Sequence, residues 1–365
     1  SPISHLDFTP VDKFYGCMFA ECPSCSHIFI KSSRGRADYL LRQFRSEEYA
    51  QGPEATQYGI SRMDSKNPER SRKIKRQLEQ LLMLKSYDSP GIRRVIDVGC
   101  YDGLFLRHAG EVWTEASLVG SDLVEHPHFA SLVRGADFVA LDKLKEPNFN
   151  SEFDLITIFH SLCYESDLLG LICRLRALLS EKGHLIAEVP FTERRPSCLL
   201  LADQDQFFTK RSLTSLFMLA GFDKASIEIN DSGVNLMIVA CNVNNSELVP
   251  PSTFDYGERP PNLRELLCRL SDLGTWSEQY SGSTIAILGS SYTAAMLHQL
   301  ESFGGALAVT TESTQRRFAG KELSTLDDVC LQIDTLIVPV GKNSEDVASV
   351  IKLEYPHLTV IPLSI

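Results

Sequence analysis

The sequence predicts an α/β protein built on a mostly parallel sheet, with a small cysteine-bearing cap before it and a second, shorter α/β run after it. Three observations carry this. From residue 70 to about 245, short apolar runs alternate with stretches of helical spacing, the pattern of strands buried on both faces by crossover helices. The tight cysteine cluster lies before that stretch, in a segment short of regular periodicity. Prolines at Pro250-Pro251 and Pro260-Pro261 then mark a stiff linker, and 365 residues exceed what one ordinary core accommodates.

Five runs read as successive strands of the middle region: Arg94 to Val98, Ser117 to Asp122, Phe138 to Leu141, Phe153 to Phe159 and Gly183 to Val189. Between the last two, Asp167 to Leu179 has leucines at helical spacing. Ala225 to Ile229 and Asn235 to Cys241 read as a closing pair with the form of an antiparallel hairpin. Upstream, Lys66 to Lys85 puts Ile74, Leu78, Leu81 and Leu82 on one helical stripe, and its many basic residues read as a solvated face. After the linker, Asn262 to Leu273 reads as a helix. It leads into strands at Thr284 to Leu288, Ala306 to Thr310, Thr335 to Val340 and Leu358 to Ile361.

Charge and composition narrow the function. The 36 Lys and Arg against 47 Asp and Glu leave a net charge of -11, which disfavours extended nucleic-acid binding. No apolar run approaches the roughly 20 residues that span a bilayer, and the first residues carry no secretion signal. The ten cysteines lie mostly in apolar segments, which suits buried thiols in a reducing compartment and predicts a cytoplasmic protein.

The chemistry concentrates after the first strand. Asp97-Val98-Gly99-Cys100-Tyr101-Asp102-Gly103 is a strand running into a glycine-bearing turn and then a helix, which gathers backbone N–H groups at one point. Two carboxylates beside the glycines would repel a pyrophosphate but suit a cationic ligand such as the sulfonium and ammonium of S-adenosylmethionine (SAM). Asp122 ends the second strand about 20 residues later, where an acid accepts hydrogen bonds from ribose hydroxyls, and Asp142 is expected to end the third, beside the adenine. With V-I-D-V-G-C-Y-D-G, the acid of V-G-S-D-L, F-D-L-I-T-I-F-H-S-L, L-L-S-E-K-G-H-L-I-A-E-V-P and the Gln206-Phe207-Phe208-Thr209 segment in order, residues 70 to 245 resemble the class I SAM-dependent methyltransferases. The resemblance implies a Rossmann-like, mostly parallel seven-stranded sheet. It also implies a cofactor site of Asp97, Gly99, Cys100, Asp102, Gly103, Asp122, Leu123, Asp142 and Phe159.

A cysteine cap, this centre and an α/β tail together resemble the three-part C-methyltransferases of nucleotide deoxysugars. That resemblance implies a small-molecule substrate and a division into a cap (1–69), a SAM-binding core (70–246), a linker (247–262) and a C-terminal second Rossmann-like domain (263–365). Cys22-Pro23-Ser24-Cys25 is half of a tetrahedral zinc site, with Cys17 and His27 nearby; a structural zinc and free thiols in a folded cap stand as alternatives. The chain departs from that family at the Glu-His pair that carries its base: the matching stretch, Asp203-Gln204-Asp205-Gln206, has no histidine. Methylation at carbon, oxygen or nitrogen therefore stays open. The candidate catalytic groups are His160 and Tyr164 beyond the fourth strand and Glu188 ending the fifth, with Glu165, Asp203 and Asp205 as further candidates. The alternative is a catalytically degenerate binding or scaffold module; a nicotinamide-dependent oxidoreductase is weak because Gly289-Ser290-Ser291 lacks repeated glycines.

Overall fold

Strands and helices alternate through the middle of the chain, and the sheet they build fixes where its polar strand ends meet. The computed structural model describes residues 9–14, 17–31, 74–75, 77–79, 91–146, 149, 152–200, 204–231, 235–243, 260–280, 284–288, 294, 297–298, 303, 305–310, 317–318, 321–339 and 344–363. These group into two compact units: residues up to Phe191 with 204 to Pro260, and residues 192–200 with Pro261 onward.

In the first unit β1 (Thr9–Phe14), β2 (Cys17–Glu21) and β3 (Ile28–Ile30) form an antiparallel ladder in the segment the sequence leaves without periodicity. The main sheet comprises β4 (Arg94–Val98), β5 (Ser117–Asp122), β6 (Asp137–Ala140), β7 (Phe153–Phe159), β8 (Leu179–Pro190), β10 (Ile227–Asp231) and β11 (Asn235–Cys241). Its order is β10-β11-β8-β7-β4-β5-β6, with β11 antiparallel to both its neighbours and the other pairs parallel. This is the seven-stranded, class I methyltransferase arrangement expected from the sequence. The short β9 (Gln206–Phe207) pairs instead with β3, so the middle of the chain supplies the fourth strand of the cap's sheet.

Alternation along the strands builds two apolar layers. Ile96, Ile158, Leu185 and Ala187 pack on one face with Leu171 and Leu175 of α4 (Leu168–Ala177) and Leu213, Leu216 and Phe217 of α5 (Lys210–Leu219). Val95, Leu155 and Ile186 face the other way, onto Leu104 and Phe105 of α1 (Leu104–Val112). Helices this short are marginal alone, and each fully buried Leu or Phe contributes about 2 kcal/mol, so packing holds them. Local signals set their ends. Asp167 accepts from the Gly170 N–H to start α4, and Thr209 and Ser212 form a reciprocal capping box on α5. Gly221, at φ 94°, stops α5 as Phe222 N–H returns to the Phe217 carbonyl.

Three of the boundaries that differ from expectation have a local cause. Asp142 does not end a strand: β6 stops at Ala140, and Leu141–Leu144 (α3) forms a helical turn whose first turn takes Asp142, where an acid favours the dipole. The strand expected from Ala225 begins at Ile227, because Asp223 caps a 3-10 turn over Lys224–Ser226 through the Ala225 N–H. β8 starts at Leu179, earlier than Gly183, since Leu179 pairs with Phe153 of β7 before a register shift in the ladder.

The second unit has a sheet of order β14-β15-β13-β12-β16-β17. Within it, β12 (Ile285–Leu288), β13 (Leu307–Thr310), β15 (Lys321–Thr325), β16 (Thr335–Val338) and β17 (Thr359–Pro362) run parallel, and β14 (Arg317–Phe318) is antiparallel at the edge. A capping box between Asn262 and Glu265 starts its first helix, Leu263–Glu278. The glycine turn after β12 lies outside the described residues. Among the described residues no helix is long and apolar enough to cross a membrane.

Candidate functional site

In an open parallel sheet the carboxyl ends of the strands line a crevice where the strand order reverses. Here β4 has β5 on one side and β7 on the other, so the ends of β4, β5, β7 and β8 share one rim. The turn after β4 is pinned to β5: Gly99 and Cys100 N–H groups donate to the Ser121 carbonyl, at 2.7 and 3.1 Å. Gly99 has φ 76°, and a Cβ there would come within 1.8 Å of Ser161 Oγ, so only glycine fits. Gly103, at φ 82°, turns the chain into α1 against Phe129 and Val133.

The carboxylates are held by specific donors. Asp97 is buried and accepts from Thr157 Oγ1 at 2.7 Å. Asp102 is buried at the start of α1 and accepts from the Leu104 N–H. Asp122 receives the Tyr101 N–H on one oxygen (2.9 Å) and the Leu123 N–H on the other (2.7 Å). Burial pushes its carboxyl above the usual aspartate value, against the pull of those two N–H groups. The Cys100 thiol is pushed well up, by burial first and then by the carboxylates of Asp97 and Asp122, which makes it a packing group and not a nucleophile. Tyr101 has a left-handed backbone, φ 50°, and its ring packs 4.4 Å from that of His126. Phe159 ends β7 half-buried, edge-on to Phe105. Leu123 follows Asp122 half-buried, and Asp142 is exposed one turn beyond β6.

The catalytic candidates fall together in part. β7 and β8 are parallel neighbours with Phe159 opposite Glu188, so the residue after β7 comes next to that glutamate. His160 Nε2 lies 2.7 Å from Glu188 Oε1, and the His160 N–H donates to the Glu188 carbonyl at 2.7 Å. Its backbone is left-handed, φ 59°, a conformation that costs a non-glycine residue about 1–3 kcal/mol and recurs at functional sites. Tyr164 stands exposed in the 3-10 turn Leu162–Tyr164. Glu165 is turned away, bonded to Lys145 Nζ at 2.6 Å and to the Asp167 N–H. Asp205 spends its backbone between Cys163 and Ile30, and Asp203 lies outside the described residues.

Two residues that sequence reading passed over join this group. Gln77 Nε2 donates to Glu188 Oε1 at 2.8 Å, and Asn235 Nδ2 donates to the same oxygen at 3.0 Å. Gln77 is buried, as are Ile74 and Leu78 of the apolar stripe. An amide on the buried face of that helix was the one available signal.

The cap gathers a different set. Cys22 and Cys25 are buried, and the hydrogen bond between them, with burial, drives the Cys25 thiol far up. His27 Nε2 pairs with Gln206 Oε1 at 2.9 Å, and its ring stacks on Phe29 and meets Phe208 at a tilt. Complete burial lowers its pKa to about 4. The Cys17 side chain lies outside the described residues, and among the described residues no three of His, Cys, Asp and Glu converge as metal ligands. Of the expected zinc set, Cys22 and Cys25 are side by side and buried, and His27 Nε2 is paired with Gln206.

The donor set of the turn is compatible with a cationic ligand such as SAM: Asp97 and Asp102 are buried acids flanking Gly99 and Gly103, and each Asp122 oxygen keeps accepting capacity after its backbone N–H is counted. Residues 63–227 match the family model of a methyltransferase domain. Among solved structures, the chain is similar to N-methyltransferase NodS from Bradyrhizobium japonicum, solved with S-adenosyl-L-homocysteine (16% identity, 57% of this chain and 98% of that one, TM-score 0.39). It is also similar to an O-methyltransferase family protein from Burkholderia thailandensis (14% identity, 57% and 68%, TM-score 0.42). A third is an S-adenosylmethionine-dependent methyltransferase from Mesorhizobium loti (19% identity, 45% and 97%, TM-score 0.36). No curated protein matches the chain.

Proposed function

We propose that this chain, whose centre is a class I SAM-dependent methyltransferase domain, methylates a small-molecule biosynthetic intermediate such as a nucleotide sugar, with His160 as the general base and Glu188 orienting it. The observation that carries the reading is the 2.7 Å His160–Glu188 contact on the same sheet rim as the acidic glycine turn. When bound, SAM supplies an activated methyl group on a sulfonium. Asp97 and Asp102 hold the methionine portion by charge, Asp122 the ribose, and Leu123, Asp142 and Phe159 border the adenine side. His160, donating through Nε2 to Glu188, presents its lone pair on Nδ1. That nitrogen would take the proton that the acceptor atom gives up on methylation. A positioned base of this kind contributes typically about 10²–10⁴-fold. Carbon, oxygen and nitrogen acceptors are served by the same arrangement, and Tyr164 stands at the substrate side.

The enzyme is read as cytoplasmic, supported by the nine described cysteines, all free thiols. The test is calorimetry with SAM, followed by transfer of a radiolabelled methyl group to a panel of nucleotide sugars. Heat of binding that disappears with Asp122→Ala, and label transfer that disappears with His160→Ala, support the reading. A protein that ignores SAM returns the chain to the scaffold alternative.

A further inference from the structure

Glu188 Oε1 receives three donors, His160 Nε2, Gln77 Nε2 and Asn235 Nδ2, at 2.7, 2.8 and 3.0 Å. We propose that Gln77 and Asn235 are positioning residues that keep His160 in its neutral, base-competent form by sharing the Glu188 oxygen with it. The inference rests on the reading of His160 as the base.

A carboxylate alone against an imidazole in a sheltered cleft favours imidazolium, which has no lone pair left for a proton. Two neutral amides on the same oxygen take up part of its charge without bringing charge of their own, so the pull on a His160 proton weakens. They also fix the carboxylate in space. Gln77 reaches it from the helical residues 77–79, and Asn235 from β11, the strand beside β8. Gln77 is 4% exposed, so water does not readily replace its amide. Charged groups on the adjoining elements are engaged elsewhere: Asp97 of β4 with Thr157, and Glu165 with Lys145 and the Asp167 N–H. Among the described residues Glu188 is the carboxylate in contact with the His160 ring, and the two amides share its oxygen.

The experiment is ring NMR of the full chain with labelled histidine and no cofactor, following the His160 signal, assigned by its loss in His160→Gln, across pH. Gln77→Met and Asn235→Ala are each expected to raise the His160 midpoint by about half a unit, and Glu188→Gln to lower it by about one. A midpoint that stays put or falls in the folded amide variants overturns the proposal, and a purely structural role for the amides would move the melting temperature without it. Asn235 is only half-buried, so Asn235→Ala supplies the reading if Gln77→Met does not fold. The titration needs no acceptor: full methyl transfer by His160→Ala would sink the base assignment and leave the titration result standing.

Discussion

The first unit holds two histidines in opposite settings, each tied through Nε2 to the side chain of another element. His27 in the cap meets a neutral amide oxygen, Gln206, and is fully buried against two phenylalanines. His160 at the strand rim meets a carboxylate and keeps about a third of its side chain in solvent (32%). The first ring is held neutral by the lack of water, down to a pKa of about 4. The second has a counter-charge and an exit for a proton. Sequence proximity to a motif says nothing of this difference; partner and solvent access decide which histidine is placed to serve as the proposed base and which fills a core.

The largest test of that contrast is the loss of each ring's role. His160→Ala is expected to lower methyl transfer about 10²- to 10⁴-fold with SAM binding kept, measured by label transfer beside calorimetry. His27 is expected to act on stability alone, and the sign follows from its depressed pKa. Below about pH 6.5 the unfolded chain takes a proton that the folded one refuses, so stability falls by up to about 1.4 kcal/mol per pH unit until about pH 4. Urea unfolding at pH 7, 5.5 and 4 checks this, and Gln206→Glu, which turns the cap pair into a copy of the rim pair, should flatten the slope. Asp122 gives an intermediate effect: Asp122→Ala should weaken SAM by roughly 10- to 100-fold, the cost of about 1.5–3 kcal/mol for hydrogen bonds to a charged group. Because its folded pKa is raised, SAM affinity should begin to fall on acidification above the ordinary aspartate range, as the accepting carboxylate is protonated. The smallest effect belongs to Phe105→Leu, which removes the ring contact to Phe159 and some buried volume and should cost about 1–2 kcal/mol of thermal stability.

What sequence reading recovered and what it missed divide along a physical line. The turn from Asp97 to Gly103 was legible because its strand, glycines and acids are consecutive. Asp122 was legible because a βαβ unit sets its distance from that turn. His160 and Glu188 were named separately, but their meeting depends on β7 and β8 being neighbours in register, which periodicity does not encode. Asp142 was assigned a strand end because nothing in its neighbours announces that the chain turns helical at Leu141. Gln77 and Asn235 were missed because amides carry no spacing rule; they matter through one oxygen of a residue 111 and 47 positions away. The two-residue β9 is too short for any pattern, and only its pairing with β3 reveals it.

That pairing has a consequence for how the chain divides. Ile28 and Phe29 are bonded in register with Phe207 and Gln206, and Ile30 reaches the Asp205 carbonyl. The residues between β8 and α5 thus spend part of their backbone on a sheet begun near the start of the chain. A gene boundary drawn after the cap would strip a strand edge and the fully buried Phe207 and Phe208 down to bare water. Cap and centre are thus joined by a shared sheet edge, and a cap cut away from the centre would leave β3 without its partner strand.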